Sequence, residues 1–511
     1  MGYTRRNVWG PGGDWADAIL WYARGVAAMK AQPLATPTSW RFYGAIHGFN
    51  IRRWTQLEYL SPTDPMPTAA LTKAFWKQCQ HGSWYFLPWH RGYLLAFEAN
   101  VRAQVVKLGG PADWALPYWN YFKPDQAALP PAFATPDWPD GKGNNPLYVP
   151  ARYGPNNDGN VYVALSQVNF QAMGDPHFTG VASGGSVGFG GVDTGFSHGG
   201  RVHGGIETQP HDWVHGLVGG SNPKNPELLG LMSHPDTAGL DPIFWLHHAN
   251  IDRLWQVWRE NPQTDVDPTD PNWLNGPASI GERVFAMPMP DGSTWKYTPA
   301  DMQNLGKLHY GYDDLTPDVE APEPAARLHA LGLLPAAVTT RPGVHAMPIG
   351  NNVELVGASQ MPIRLLGGEV RSTVLLDNAG RKKVAASLTM GAVAPTPDRV
   401  FLNLENVRGA SDATAFHVYV GLPDGEDAAH HPEFQAGSIA LFGVSSASDP
   451  DGEHGGQGLT FVLEITKIID GLHLRNALDV DKLEVRLVPV SPVPETAKVS
   501  IGRVSVYRQG R

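Results

Sequence analysis

The sequence has little of several features by which common classes of protein are identified. Its single cysteine, Cys79, excludes a disulfide framework and a structural zinc site built from several cysteines. It has no run of about 20 apolar residues, which a membrane-spanning helix requires, so we expect no membrane partner. The 39 basic residues are outnumbered by 49 acidic ones, which gives a net charge of −10 and argues against nucleic acid as a partner.

What the chain does have is enough apolar material for a large core. Hydrophobic residues make up 42% of its 511 residues, so we expect a folded chain, with about two to four domains at this length. Arg5 and Arg6 are not followed by an apolar stretch, so we expect no secretory leader. This expectation favours a cytoplasmic location and leaves the compartment otherwise open.

The hydrophobic pattern changes along the chain and predicts a helical part followed by a β-rich part. Before residue 315 the apolar spacing is helical, with Asp14, Thr68 and Asp241 as candidate N-caps and with long loops rich in glycine and proline. An acidic, proline-rich stretch follows, and after it alternating apolar and polar residues predict short antiparallel strands. The sequence therefore predicts a mainly α catalytic domain at 1–315, a linker at 316–350 and an antiparallel β-domain at 351–511.

Several of the 19 histidines lie on the apolar faces of predicted helices. His90 heads an apolar stripe on one helix, and His248 lies on the apolar stripe of another. His247 is about 100° around that second helix, so His248 is the better candidate ligand. His211 and His215, at i and i+4, share one helix face, which is the spacing of two-histidine metal chelates.

A metal ion would explain why so many imidazoles point inward. With His47 on a further helix face, the inward-facing imidazoles of one helical domain would lack partners unless a metal collected them. Neutral imidazole is a good ligand for zinc, copper, iron and nickel. No cluster of carboxylates accompanies these histidines, which argues against a carboxylate di-iron site. The residues alone favour copper and leave catalytic zinc open.

Two segments resemble the signatures of a known family. The segment Cys79–Glu98 resembles the first copper region of the tyrosinases, the type 3 copper proteins that also include catechol oxidases and haemocyanins. Asp241–Trp258 resembles the second region, Asp-Pro-x-Phe followed by His-His-x-x-x-Asp-Arg, and Tyr310–Asp313 resembles the tyrosine motif that closes the catalytic domain. The β-rich tail resembles, more loosely, the shielding domain of plant and fungal polyphenol oxidases. The chain thus resembles a bacterial-type tyrosinase with a C-terminal shielding domain.

The resemblance implies a four-helix bundle around two copper ions, with O2 as the co-substrate. It implies the o-hydroxylation of monophenols to catechols and the oxidation of catechols to o-quinones, the chemistry that leads to melanin, with small phenols as substrates. Carried over by matching position, the implied copper ligands are His47, His81 and His90 for the first ion and His211, His215 and His248 for the second.

Two further residues match positions that bear on the hydroxylation of monophenols. Glu207 matches the family's water-holding glutamate, and Asp212 directly follows His211 where the family often has Asn or Asp. A water held by Glu207 and oriented by Asp212 is expected to take the proton of the phenol.

Three other positions carry implied roles near the first copper. Cys79 stands two residues before His81, the Cys-x-His spacing of members that carry a thioether between the two side chains. Pro235 matches the gate position above the first copper, and His234 beside it is expected to line the entrance.

Alternatives remain open at this point. The closest is a catechol oxidase that lacks hydroxylation of monophenols. A zinc hydrolase would use His211 and His215, with Asp212 in place of the usual glutamate, and an oxygen carrier would share the copper site without turnover. The natural phenol and the oligomeric state are left open, a homo-oligomer included. The C-terminal domain is expected to cover the copper site, with the loop Pro423–Phe434 as the covering element.

Overall fold

The fold is given by a computed structural model that describes residues 2–260, 266–318, 352–376, 398–452, 455–475, 477–479 and 481–510. Its first part is helical, with short strands in the connections. The helices are α1 (Asp17–Lys30), α2 (Trp40–His47), α3 (Ile51–Gln56), α4 (Ala69–Phe75), α5 (Phe86–Lys107), α6 (Pro131–Ala134), α7 (Trp213–Gly219), α8 (Pro235–Ala238), α9 (Pro242–Arg259) and α10 (Pro271–Asn275). The strands are β1 (Tyr3–Arg5), β2 (Thr179–Gly180), β3 (Gly191–Val192), β4 (Ser221–Asn222), β5 (Asn225–Leu229), β6 (Phe285–Pro288), β7 (Thr294–Tyr297) and β8 (Tyr310–Tyr312).

The second part is built on one antiparallel sheet. Its strands are β9 (Val353–Ala358), β10 (Ile363–Arg364), β11 (Val370–Leu376), β12 (Arg399–Arg408), β13 (Ala415–Val420), β14 (Gln435–Ala440), β15 (Leu459–Glu464), β16 (Lys482–Pro489) and β17 (Ser500–Gln509). They lie in the order β14-β13-β16-β11-β9-β17-β12-β15, with β10 beside β17. Two helices, α11 (Val444–Ala447) and α12 (Thr466–Leu474), lie between strands. The predicted fold class is confirmed: a helical catalytic core is followed by an antiparallel, barrel-like β-domain.

Each part has its own hydrophobic core. One cluster of buried residues lies in the helical part, and a second lies in the β-domain. Two β-domain residues, Ala440 and Phe442, pack with the first cluster rather than with their own. The predicted linker lies outside the described residues except for 316–318, where Asp318 accepts a 2.9 Å hydrogen bond from Arg253. The domain boundaries therefore stay a prediction.

Local sequence chemistry explains where the helices that position the histidines begin. Asp241 accepts a hydrogen bond from the amide of Ile243 and caps α9, and Thr68 caps α4 in the same way, as predicted. The prediction that Asp14 caps α1 is wrong. Asp14 lies inside a turn closed by the amide of Ala16 on the carbonyl of Gly13, and the helix begins only at Asp17.

Asp252 is the centre of a buried ionic network that joins α5, α9 and the chain's first strand. Its carboxylate accepts hydrogen bonds from Arg91 Nε at 2.5 Å, from Arg5 Nη1 at 3.1 Å and from the hydroxyls of Tyr310 and Tyr312. Strand β1 pairs in parallel with β8, which brings Arg5 to this place. Burial alone would raise the pKa of Asp252, but the two guanidiniums hold it below its usual value.

Replacing this carboxylate tests whether the network holds the helical part together. We expect Asp252→Ala to lower the free energy of unfolding by about 3–5 kcal/mol, because two buried guanidiniums lose the carboxylate they share. Chemical denaturation followed by tryptophan fluorescence measures the change. Glu495→Gln, which removes the exposed pair between Arg364 and Glu495, is the control and should leave unfolding unchanged. Equal stability of the two variants would contradict the role of the network.

Candidate metal centre

Three of the predicted ligands form one group at the middle of the helical part. His47 is the last residue of α2, His81 lies in the loop before α5, and His90 lies one turn into α5. The three rings form a triangle with centroids 5.3 Å apart for His47 and His81, 5.8 Å for His47 and His90, and 5.7 Å for His81 and His90. Their exposed fractions are 0–3%, so the group is buried.

The other three predicted ligands form a second buried group. His211 lies in the irregular turn that leads into α7, His215 lies on α7, and His248 lies on α9. The ring centroids are 4.5 Å apart for His211 and His215, 4.9 Å for His211 and His248, and 5.6 Å for His215 and His248. Four helices, α2, α5, α7 and α9, thus bring ligand candidates to one place.

The two groups face each other directly. The rings of His90 and His248 stack at 4.3 Å with their planes 12° apart. The rings of His81 and His211 are 5.6 Å apart. One space inside the helical core is therefore lined by six imidazoles from the two groups.

The hydrogen bonds of these rings fix which nitrogen faces that space. An Nδ1 atom beside a backbone carbonyl must carry the proton, and three rings have this arrangement. The pairs are His47 with Pro235 (2.7 Å), His90 with Phe86 (2.8 Å) and His215 with Met232 (2.8 Å). His211 instead places Nδ1 2.9 Å from Oδ1 of Asp212. The opposite nitrogen, Nε2, is left with a free lone pair in His47, His211 and His215, whereas Nε2 of His90 lies 3.4 Å from the sulfur of Cys79.

Four of the six rings have an Nε2 atom without a partner among the described residues. The Nε2 atoms of His47, His211, His215 and His248 are buried without a hydrogen bond to any residue that the structure describes. Burial lowers the pKa of His47 to about 3 and holds the pKa of the other five rings below the usual value, so the rings are neutral at neutral pH. Buried neutral imidazoles tied through Nδ1 and unpaired at Nε2 are typical of metal ligands, so the residues present fit a bound metal.

His247 is buried in the second group too, although the sequence pattern set it aside. Helix α9 is buried on nearly all sides, so an apolar stripe does not distinguish His247 from His248. Nε2 lacks a partner among the described residues in both, so the distinction lies in position: the ring of His248 stacks on His90 of the first group at 4.3 Å, whereas Nδ1 of His247 lies 3.2 Å from the hydroxyl of Tyr121. His248 therefore remains the better candidate ligand.

Cys79 lies in the first group, in contact with two of its rings. The sulfur is 3.5 Å from Nδ1 of His81 and 3.4 Å from Nε2 of His90, and the thiol is free and fully buried. Burial is the main reason that its pKa is raised well above the usual value. The structure thus places Cys79 beside the ring with which the sequence predicts a thioether.

Glu207 is held beside the first group by the backbone of Gly82. Its two carboxylate oxygens accept hydrogen bonds from the Gly82 amide at 2.9 and 3.0 Å, and the side chain is fully buried. Gly82 has φ +57°, and a Cβ there would lie 2.4 Å from the backbone of Gly200, so only glycine fits. Burial raises the pKa of Glu207 to about 8, with His203 opposing the rise and Asp212 adding to it.

Both oxygens of Asp212 are in contact with histidines. Oδ1 accepts from Nδ1 of His211, and Oδ2 lies 2.7 Å from Nδ1 of His203. The role of Asp212 in orienting a water beside Glu207 therefore stays a prediction, to which the structure adds these two contacts. Burial is the largest influence on His203 and opposes its charge, yet Glu207 and Asp212 raise its pKa to about 9. The sequence reasoning missed His203, although it stands four residues before Glu207, at the spacing of one helical turn.

The predicted gate residues lie under the C-terminal domain. The carbonyl of Pro235 accepts the hydrogen bond from His47, and His234 is buried, with Nε2 3.3 Å from both Oδ2 of Asp412 and Oγ of Ser445. His234 thus contacts the β-domain and does not line an open entrance.

Phe442 of the C-terminal domain covers the histidines. Its ring stacks on His215 at 4.2 Å and meets His81 and His211 edge-on at 5.6 and 5.7 Å. The prediction that the loop Pro423–Phe434 is the covering element is wrong. The hydrogen bonds described for that loop stay within the β-domain, because it follows the far end of β13 whereas Phe442 follows β14, the edge strand beside Gln209.

Among the described residues, no helix is both apolar and long enough to cross a membrane.

Family comparisons match both parts of the chain. The common central domain of tyrosinase matches residues 37–186 and 160–261, and a domain of unknown function (DUF7868) matches residues 352–509. Tyrosinase HcTyr1 of Hahella sp. (strain CCB-MM4) is 32% identical over 525 residues, which cover 99% of this chain and 99% of the relative. A chloroplastic polyphenol oxidase of Malus domestica is 26% identical over 358 residues, 68% of this chain and 56% of the relative.

Solved structures share the fold of the whole chain. The latent apple tyrosinase superposes with a TM-score of 0.61 at 21% identity, covering 100% of this chain and 98% of that one. A recombinant latent aurone synthase, a polyphenol oxidase, gives 0.58 at 20% identity, with 100% and 90% covered. With a tyrosinase 32% identical along its whole length, the chain belongs to the tyrosinase and polyphenol oxidase family, and its two histidine groups are those of a copper enzyme.

Proposed function

We propose that the chain oxidises small phenols with O2 at a pair of copper ions, both hydroxylating monophenols to catechols and oxidising catechols to o-quinones. The observation that carries the proposal is the pair of facing histidine groups, in which the Nε2 atoms of His47, His211, His215 and His248 have no partner among the described residues. The residues that would hold the ions are His47, His81 and His90 for one and His211, His215 and His248 for the other. Bound copper would supply O2 binding and the electron transfer, which no side chain here can perform.

The chain's own contribution is to position the ligands and exclude water. Each ring is held through Nδ1 or by close packing, so it does not reorganise when a metal binds. Phe244 and Phe86 add to this packing, with Phe244 4.3 Å from His248 and Phe86 4.8 Å from His211 between ring centroids. We also propose that Cys79 and His81 become linked by a thioether in the copper-loaded protein, since the sulfur is already in contact with that ring. An S–C bond would replace the S–H bond and one ring C–H bond, and O2, the oxidant of the proposed function, would take up the two electrons and two protons.

Hydroxylation of a monophenol needs a base in addition, because a phenol with a pKa of about 10 keeps its proton in neutral water. Glu207 is the carboxylate with this role in the proposal. It is buried next to the first histidine group, anchored by an amide, and its pKa near 8 is that of an effective base around neutral pH. A water bound to Glu207 would pass the phenolic proton to it.

One observation favours the closest alternative, a catechol oxidase without hydroxylation. Both oxygens of Asp212 are engaged by His203 and His211, so a water between Asp212 and Glu207 would have to share an oxygen with one of these histidines. Family membership argues against the zinc hydrolase and the oxygen carrier. Measuring hydroxylation of a monophenol and oxidation of a catechol in a Glu207 variant therefore distinguishes the two candidate functions.

The first prediction concerns the metal. Elemental analysis of the fully loaded protein should give two copper ions per chain, and His90→Ala and His248→Ala should each lower that number towards one. His430→Ala, which alters an exposed histidine of the β-domain, is the control and should retain both ions. Tight binding of one zinc with no uptake of copper would contradict the proposal.

The second prediction concerns the base. Glu207→Gln should retain copper and catechol oxidation but lower hydroxylation of a monophenol by about 10²–10⁴-fold, the usual contribution of a general base. Initial rates of O2 uptake with tyrosine and with a catechol measure the two activities separately. Glu260→Gln, at the exposed end of α9, serves as the matched control. An equal loss of both activities would show that Glu207 has a structural role instead.

The third prediction concerns the covering ring. Because Phe442 occupies the space above His215, Phe442→Ala in the intact chain should raise turnover of bulky catechols relative to the natural chain. Phe434→Ala removes a buried ring from the β-domain core and controls for loosening of that domain. If Phe434→Ala activates as much as Phe442→Ala, general destabilisation rather than uncovering explains the effect.

A further inference from the structure

His203 is a buried histidine that is neither one of the six proposed copper ligands nor the proposed base. It is 4% exposed and lies between the copper-ligand candidates and strand β15 of the C-terminal domain. Its ring neighbours among the described residues are His81 at 6.4 Å and Phe461 at 6.2 Å. Its close contact is polar, since Nδ1 lies 2.7 Å from Oδ2 of Asp212.

That contact is the first link of a chain that ends at a ligand candidate. Asp212 is fully buried and uses its second oxygen, Oδ1, to accept from Nδ1 of His211 at 2.9 Å. A buried carboxylate with one oxygen unpaired would be costly, and it would rotate or take a proton to recover a partner. The donor on His203 removes that tendency by satisfying Oδ2.

Among the four ligand candidates whose Nδ1 donates to an oxygen atom, His211 is the one that relies on a side chain. His47, His90 and His215 donate Nδ1–H to backbone carbonyls, which are fixed by the fold. His211 donates to a side chain, which is fixed only if its own other contact is made. We propose that His203 is a positioning residue that, through Asp212, holds His211 in the orientation that binds the second copper ion.

This inference rests on the proposed copper site and adds a residue outside the six ligands. The carboxylate bridge fixes the protonated nitrogen of His211 as Nδ1, so Nε2 keeps its lone pair toward the metal. Glu207, 3.8 Å from the same nitrogen of His203, is too far to replace Asp212 as its acceptor. The effect of His203 is therefore expected at one copper ion of the two.

The test compares His203→Leu, which removes the donor, with His203→Asn, whose amide nitrogen can take the place of Nδ1. Copper per chain is measured by elemental analysis after dialysis against a graded series of chelator concentrations. The affinity for the more weakly held ion should fall about 10–100-fold in His203→Leu, as for other groups that orient a ligand. His203→Asn should recover most of it. A single Cu(II) left in the protein is visible by electron paramagnetic resonance, whereas a coupled pair is silent, so the spectrum reports selective loss.

A double-mutant cycle with Asp212→Leu separates positioning from packing. If His203 acts through Asp212, His203→Leu should have no further effect on copper retention in the Asp212→Leu background. His177→Gln, which alters a His–Asp contact of 3.3 Å elsewhere in the helical part, is the matched control and should retain both ions. An undiminished effect in the Asp212→Leu background, or unchanged copper affinity in His203→Leu, would overturn the inference. Failure of the natural chain to bind two copper ions would instead overturn the proposed function.

Discussion

The structure depends on the burial of six neutral imidazoles, four of which have a metal-facing nitrogen with no partner among the described residues. An unpaired polar atom in a protein interior costs roughly 1–3 kcal/mol, so such a group persists only where the surrounding fold is strong enough to hold it. Here the large aromatic side chains around the site provide that strength. Phe97 of α5 and Trp245 of α9 stack at 3.5 Å and so join the two helices that carry His90 and His248. The apolar core thus maintains a polar cavity that is complete only when metal is bound.

The charged side chains follow a related rule, because buried ones such as Arg152 are held by specific partners. Arg152 pairs with Asp241 at 2.6 Å and so ties a loop to the N-cap of α9. The interface with the β-domain contains a part-buried pair, in which Arg399 lies 3.1 Å from Asp175. Pairs of this kind contribute more to geometry than to net stability, since burial of the charges offsets much of their attraction. They set the helix positions and domain contact on which the site relies.

The helical core, the β-domain and five of the six histidines could be predicted because each carries a local pattern, whereas His81 followed only from the family resemblance. His211 and His215 are one helical turn apart, and Asp241–Pro242 marks the start of α9. The covering element and the support of His211 could not be predicted in the same way. Phe442 approaches the site from about 200 residues away in sequence, and nothing local distinguishes it from other core phenylalanines. The contact between Asp212 and His203 was not predicted, because only the folded chain brings these two side chains together.

The ring that covers the histidines belongs to the same polypeptide as the histidines themselves. Phe442 packs within the helical core although the rest of its domain has a separate core. A group tethered in this way is present at an effective concentration set by the chain, typically in the millimolar range or above, however dilute the protein is. A phenol that binds above these histidines would therefore compete with the Phe442 ring of the same molecule, and dilution would not weaken that competition. The apparent affinity for the phenol would be the intrinsic affinity multiplied by the fraction of molecules in which the ring is displaced. Access to the site would then be governed by a conformational equilibrium within one molecule.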